Sequence, residues 1–346
     1  MKNTTNFVLA GVLVALLASN PVLVHAEEYV FPSATSTVLV NATAQSNDFE
    51  TAVIRAESAE RQLVPERSIR VGLYKTASAV MFEPSTTYEL WAGGVSRGVV
   101  MSGEKIELRY AAGTYSVKGE NLEFWTGEYI RLVPQQENGF FTLSNYTRTV
   151  KGRSNINFNM YRGVLEYRYS PKSKLPYIIN ELPLDLYVRG VAETHDGAAP
   201  EYLKALAVAV RSYGNAFIVS EPPTEKRMFD VFATTVDQLY LGYNSELSMP
   251  NFVSAANETA GEMVLYDGKP VITFYFSRSN GRTKNAGKAR PWLKSVEAKY
   301  DKGKKMLGHG IGMSNADAQL RALKDDWKYV EILEHYYTST TVERIF

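Results

Sequence analysis

One carboxylate in this 346-residue chain stands where acid/base chemistry could use it. Glu193 lies in a short polar loop, Glu193-Thr194-His195-Asp196-Gly197, just ahead of a helix that Pro200 and Glu201 open. A rigid element next to a loop acid can fix its position. His195 and Asp196 share the stretch, so position alone does not choose among the three, and a solvated loop acid is the default for any glutamate. Two further stretches carry polar groups with backbone freedom. Gly308-His309-Gly310-Ile311-Gly312-Met313-Ser314 presents a histidine among three glycines that can take φ > 0 and let a ligand approach. It also reads as a Gly-rich loop entering a helix, with the histidine as a hydrogen-bonding strut. Tyr275 to Thr283 runs from a strand into a hydroxyl-rich loop with Arg278 and Arg282, suited to sugar hydrogen bonding or simply to a turn.

Other chemistries fit poorly. There is no G-x-S-x-G elbow for a serine hydrolase and no phosphate-cradling Gly loop. Cysteine is absent, so thiolate zinc sites, cysteine nucleophiles and disulfides are excluded. Of four histidines, His25 sits in the leader and the others are not at ligand spacing. No metal or cofactor is expected.

The elements that must position these groups divide the chain. Residues 1–26 read as a secretory signal: Lys2, an apolar run from Phe7 to Ala18, a break at Asn20-Pro21 and small residues at Val24-His25-Ala26. The run is too short to span a bilayer comfortably. An uncleaved anchor is the weaker alternative, and no second apolar stretch suits a membrane helix. Without the leader the chain holds 37 acids and as many bases. That balance is not the signature of a nucleic-acid binder. Residues 27–66 read as a linker or weakly ordered arm with a charged amphipathic piece at Thr51–Gln62.

From residue 67 to 155 the pattern has period two. Strands are expected at Ser68–Leu73, Thr87–Trp91, Lys105–Tyr110, Thr114–Lys118, Tyr129–Val133 and Phe140–Tyr146, separated by Gly turns. The 22 tyrosines suit half-buried sheets, and tyrosines also line carbohydrate grooves. From residue 156 on, the pattern is mixed. Ile156–Ser170 reads as one long strand, with Leu165, Tyr167 and Tyr169 on one face and Val164, Glu166 and Arg168 on the other. Tyr177–Asn180 continues the sheet, and Leu182 to Val191 ends a strand or enters a helix. Leu203, Leu206, Ala207, Val210, Tyr213 and Phe217 recur at helical spacing over 200–219. A hairpin is expected at Met263–Tyr266 and Val271–Phe276, and helices at Asn251–Thr259, Asn315–Leu323 and Lys328–Tyr337. The fold class expected is α+β, a β-rich region followed by a mixed α/β domain.

From about Met160 to Phe346 the chain resembles the SpoIID/LytB family of sporulation stage II protein D-like lytic transglycosylases and amidase enhancers. Its pieces occur in family order: Val164–Tyr169 with Ile179-Asn180-Glu181-Leu182-Pro183-Leu184, Tyr187 to Glu193, Leu203 to Tyr213, Gln238 to Tyr243, Ser277–Thr283, Leu293-Lys294-Ser295-Val296, and Gly308–Ser314. The resemblance implies that Glu193 is the catalytic acid/base. It places Arg211, Gln238, Tyr240, Ser277, Gly281, Thr283 and His309 around the same groove. It implies a secreted, wall-associated enzyme that cleaves the MurNAc–GlcNAc bond of peptidoglycan glycan strands without added water, leaving 1,6-anhydroMurNAc ends. A non-catalytic wall-binding protein that enhances a cell-wall amidase is the alternative. This chain departs from the family where Thr194-His195 replaces Met-Pro, Asn280-Gly281 replaces a double glycine, and Asn315-Ala316-Asp317 replaces Gln-Tyr-Gly.

Overall fold

The structure, a computed structural model, describes residues 64–218 and 228–346 together with the backbone of a hairpin near the N-terminus. In that hairpin β1 (Thr4–Leu9) pairs antiparallel with β2 (Val12–Leu17). The rest of the expected leader and arm, up to residue 63, and the Pro222-Pro223 loop lie outside the described residues.

Residues 63–346 form a compact unit of their own. Its strands begin with β3 (Ser68–Lys75), β4 (Val80–Pro84), β5 (Tyr88–Ala92), β6 (Val95–Val100), β7 (Ile106–Ala111), β8 (Thr114–Lys118) and β9 (Glu123–Thr126). They continue with β10 (Ile130–Pro134), β11 (Phe140–Leu143), β12 (Met160–Arg162), β13 (Val164–Ser170) and β14 (Leu175–Pro183). One sheet has the order β15-β3-β14-β13-β10-β5-β6, where β15 (Val231–Phe232) runs parallel to β3 and the other pairs are antiparallel. A second sheet has the order β12-β11-β4-β7-β8-β9. Alternating side chains turn Leu90, Leu132 and Leu165 from the first sheet and Phe82, Leu108 and Phe141 from the second into a shared core. Aromatic pairs join the sheets: Phe82 meets Tyr88 edge-on at 5.3 Å between centroids, and Tyr115 meets Tyr167 at 5.9 Å. The first sheet draws strands from both sides of residue 156, because β10 pairs with β13 and β3 with β14.

The α+β class is as expected, but two strands differ from their sequence pattern. Ile156–Ser170 is not one strand. Met160–Arg162 belongs to the second sheet and Val164–Ser170 to the first, and the chain changes sheets at Gly163. Gly163 has φ +78°, and a Cβ there would lie 2.5 Å from the Glu181 carbonyl oxygen, so only glycine fits the corner. The hairpin after β16 (Glu262–Tyr266) turns at Asp267-Gly268, both at positive φ, into a strand of only two residues, β17 (Lys269–Pro270). Tyr275–Phe276, as β18, instead pairs parallel with β19 (Met313–Ser314).

The helices cluster after β14. They are α1 (Leu184–Arg189), α2 (Pro200–Phe217), α3 (Tyr243–Ser248), α4 (Pro250–Glu258), α5 (Asn315–Lys324) and α6 (Tyr329–Tyr336), with β20 (Thr341–Arg344) closing on β16. The expected span from Leu182 to Val191 resolves into the end of β14 and all of α1. Pro200 at the first turn, Glu201 beside the positive helix end, and the absence of interior glycine before Gly214 favour α2. Twelve of the thirteen positions from Tyr202 to Gly214 are buried, all but Lys204, so α2 is the central helix. The alanines 205, 207 and 209 let its neighbours pack closely.

Replacing Gly163 by Ala is expected to cost roughly 2–4 kcal/mol, through left-handed strain and the clash with the Glu181 carbonyl. Urea unfolding should show a lowered midpoint at unchanged m-value.

Candidate active site

The site is built where two chain segments meet. After α1 the backbone at Val191 bridges antiparallel to Tyr240. The Leu241 N–H donates to the Gly190 carbonyl at 2.8 Å, and the Ala192 N–H donates to the Leu239 carbonyl at 2.8 Å. Gly190 is needed for closeness: a Cβ there would sit 2.5 Å from the Tyr240 ring. The next rung is made by a side chain. The Leu239 N–H donates to Glu193 Oε1 at 2.7 Å. No hydrogen bond to a described residue engages Glu193 Oε2, and Glu193 lines a pocket of about 500 Å³. Phe276, Ser277, Tyr202, Asn315 and Gln319 line the same pocket.

Burial pushes the Glu193 carboxyl above its ordinary 4.5, and the Leu239 N–H opposes this. No cation faces it. Beneath it the buried Gln238 side chain joins two tyrosines: Tyr187 OH donates to Gln238 Oε1 at 2.7 Å, and Gln238 Nε2 donates to Tyr275 OH at 2.9 Å. Burial holds both phenols protonated. The apolar, neutral floor is therefore what keeps the acid poorly solvated.

The rest of the loop is pinned. Arg153, from the loop between β11 and β12, donates to the Thr194 carbonyl at 2.5 Å. Asp196 accepts the N–H groups of Asn251 and Phe252 at 2.8 and 3.1 Å and so caps α4. That occupies Asp196 and leaves Glu193 as the loop acid facing the pocket. His195 is exposed on the pocket's rim.

The sequence-derived residues fall into three places. Glu193 and Ser277 line the pocket. Gln238 and Tyr240 are buried below it, and Tyr240 stacks on Tyr187 and donates to Asn180 Oδ1 at 2.8 Å. The others hold the neighbouring loops. Thr283 Oγ1 accepts the Val296 N–H at 2.9 Å. The Gly281 N–H donates to Ser279 Oγ and its carbonyl accepts the Ala298 N–H. His309 Nδ1 accepts the Ile311 N–H at 3.1 Å, which leaves Nε2–H to donate to the Tyr275 carbonyl at 3.1 Å. Burial lowers the His309 pKa, so the ring is a neutral strut with both nitrogens engaged.

Arg211, expected at the groove, lies instead inside the helix cluster. Its guanidinium is fully buried and donates to Asp185 Oδ1 at 2.5 Å and to the carbonyls of Glu262 and Ala256 at 3.1 Å each. A helix facing inward at that position carries an anchor for α1, α4 and β16, not a sugar contact. Sequence reasoning did not find Tyr202, Asn315 or Gln319. Asn315 and Gln319 are four apart on α5 and so share a helix face, a readable spacing with no sign of what it faces. Nor did it find Asp301, a buried carboxylate that accepts the Ser279 N–H and the hydroxyls of Ser279 and Ser314, tying the 277–283 loop to β19.

A family model described as Stage II sporulation protein, SpoIID, matches residues 173–266, the stretch that contains Glu193 and Gln238. Stage II sporulation protein D of Bacillus subtilis is 31% identical over 140 residues, 36% of this chain and 41% of that protein. The protein of the same name from Bacillus amyloliquefaciens is 32% identical over 141 residues, with the same coverage. An uncharacterized protein of Brachyspira hyodysenteriae is 30% identical over 199 residues, 54% of this chain and 52% of that one. The matches thus span about half or less of these relatives. They show that this part of the chain is similar to the SpoIID family. No helix among the described residues is long and apolar enough to cross a membrane.

Because the folded pKa of Glu193 is raised, the folded state holds more protons than the unfolded one between 4.5 and the raised value. Stability therefore falls as pH rises through that window. Glu193→Gln removes the buried charge, so its melting temperature should exceed that of wild type at pH 7, and the gap should close near pH 4. Arg211→Met should instead cost roughly 3–5 kcal/mol by stranding Asp185, as read by chemical denaturation.

Proposed function

We propose that this chain is a peptidoglycan lytic transglycosylase and that Glu193 is its acid/base. The observation that carries the reading is one carboxyl with its two oxygens in different roles. Oε1 accepts the Leu239 N–H, so in the acid form the proton sits on Oε2, toward the pocket. Burial favours that acid form.

Oε2–H would donate to the glycosidic oxygen as the MurNAc C1–O bond breaks and positive charge develops on the sugar. The carboxylate left behind would take the proton of the MurNAc 6-hydroxyl as that oxygen bonds to C1. The products are a 1,6-anhydroMurNAc end and a free 4-hydroxyl on the departing GlcNAc, with Glu193 protonated again and no water consumed. The attack is intramolecular, so proximity replaces the second carboxylate that two-acid glycosidases need. A pocket with a single carboxyl among its lining residues, the others offering amides, hydroxyls, aromatic surface and the His195 ring at the rim, suits that division of labour. Ser277, Asn315 and Gln319 would bind sugar hydroxyls and acetamido groups, and Tyr202 and Phe276 would pack against ring faces. His309, with both nitrogens engaged, would hold the Gly loop in place and take no part in proton transfer. The reading places the protein outside the cytoplasm at the wall, with glycan strands as its partner and no cofactor.

Mass spectrometry of purified glycan strands tests it. Wild type should yield products ending in 1,6-anhydroMurNAc, and Glu193→Gln should lower their rate by roughly a hundred- to ten-thousand-fold with the fold intact. Reducing-end products would indicate hydrolysis. Glycan binding by both proteins with no cleavage would indicate the non-catalytic, amidase-enhancing role.

A further inference from the structure

A second pocket, of about 440 Å³, opens on the other face of the seven-stranded sheet, away from the core. It is made by a charge ladder across four neighbouring strands. Glu166 on β13 is only 1% exposed. It accepts from Arg70 Nη2 on β3 at 2.5 Å and from Arg131 Nη1 on β10 at 2.9 Å. Arg131 also grips Glu181 of β14 at 2.9 and 3.2 Å. Cross-strand ion pairs of this kind are a common way to solvate a sheet face. Three features set this one apart.

The first is the balance of charge: three guanidiniums, Arg70, Arg131 and Arg168, face two carboxylates. The second is Arg168. Its nearest carboxylate oxygen, Glu166 Oε1, is 3.6 Å away, and no hydrogen bond to a described residue engages its five N–H donors. Its guanidinium lies over the Tyr129 ring at 4.6 Å, which fixes the plane of the fork without using any donor. The third is Arg70 Nε, which is buried without a hydrogen bond and stands 3.6 Å from Glu181 Oε2. A buried N–H left without a partner is costly. The pocket thus presents oriented cationic donors and one unmatched positive charge.

We propose that this pocket binds a carboxylate of a short acidic peptide, with Arg168 as the principal bidentate contact. A planar fork matches a planar carboxylate in two parallel hydrogen bonds. One surplus charge matches a monoanion better than a doubly charged phosphate. The half-open Glu181 at the rim can accept the peptide's own N–H. The site shares no residue with the Glu193 pocket and does not depend on the reaction proposed there.

Calorimetric titration of the full chain with acetyl-Ala-Glu-amide, a monoanion, with neutral acetyl-Ala-Gln-amide and with inorganic phosphate tests the proposal. Wild type and Glu193→Gln should both bind the acidic dipeptide, and the neutral dipeptide and phosphate should bind at least ten-fold more weakly. Arg168→Ala and Arg168→Lys should both lose at least ten-fold in affinity, the lysine because it keeps charge without the fork. Their melting temperatures should match wild type, since Arg168 makes no hydrogen bond that the fold requires. Unchanged affinity in Arg168→Ala, equal binding of the neutral dipeptide or of phosphate, or no binding of the acidic dipeptide would each overturn the proposal. Loss of glycan cleavage in Glu193→Gln leaves these outcomes untouched, so the two sites are judged separately.

Discussion

A single hydrogen bond, from the Leu239 N–H to Glu193 Oε1, decides what the rest of this domain has to achieve. It takes the place of a backbone rung in the short ladder between residues 190–193 and 238–241. A carboxylate oxygen can only occupy that place if the two segments approach to backbone distance. Gly190 allows the approach, and the stacked Tyr187 and Tyr240 rings set its depth. The same bond breaks the symmetry of the carboxyl, since one oxygen becomes an acceptor in the frame and the other is left without that partner.

The frame holds because polar groups beneath the site are spent on one another. Tyr187, Gln238 and Tyr275 form a closed chain of hydrogen bonds, and His309 locks the Tyr275 carbonyl from the Gly loop. Arg211 does the same for the helices, gathering Asp185 and two carbonyls around its fully buried guanidinium. Tyr187, Gln238, Tyr275 and Arg211 each have a partner, which keeps the floor neutral and the Glu193 carboxyl poorly solvated. The sheets contribute as well: Arg153 reaches from the loop between β11 and β12 to the Thr194 carbonyl. The acid is thus held by both the strand-rich and the helix-rich parts of the unit.

How much of this could be read from the residues varies with the kind of information. Period-two alternation located β3, β5, β7, β8, β10 and β11, and helical spacing located α2 with its buried face, because both patterns are local. The break at Gly163 was hidden because alternation continues across it, and only the contact with Glu181, distant in sequence, requires the glycine. At the site, Glu193 could be singled out by its place before α2. The demotion of Asp196 to a helix cap could not, because Asn251 and Phe252 lie more than fifty residues away. Arg211 and Tyr240 stand in family motifs just as Glu193 does, yet motif order is silent on which way a side chain points. Polar residues in a motif can serve the frame as well as the ligand, and burial separates the two.

The most direct measurement is a carbon-13 NMR titration of the Glu193 carboxyl in glutamate-labelled protein, assigned by its absence in Glu193→Gln. A carboxyl whose pKa is raised by its poorly solvated floor should titrate above the ordinary 4.5. A midpoint at or below that value would mean that the Leu239 N–H outweighs burial, and that Glu193 is not held as an acid.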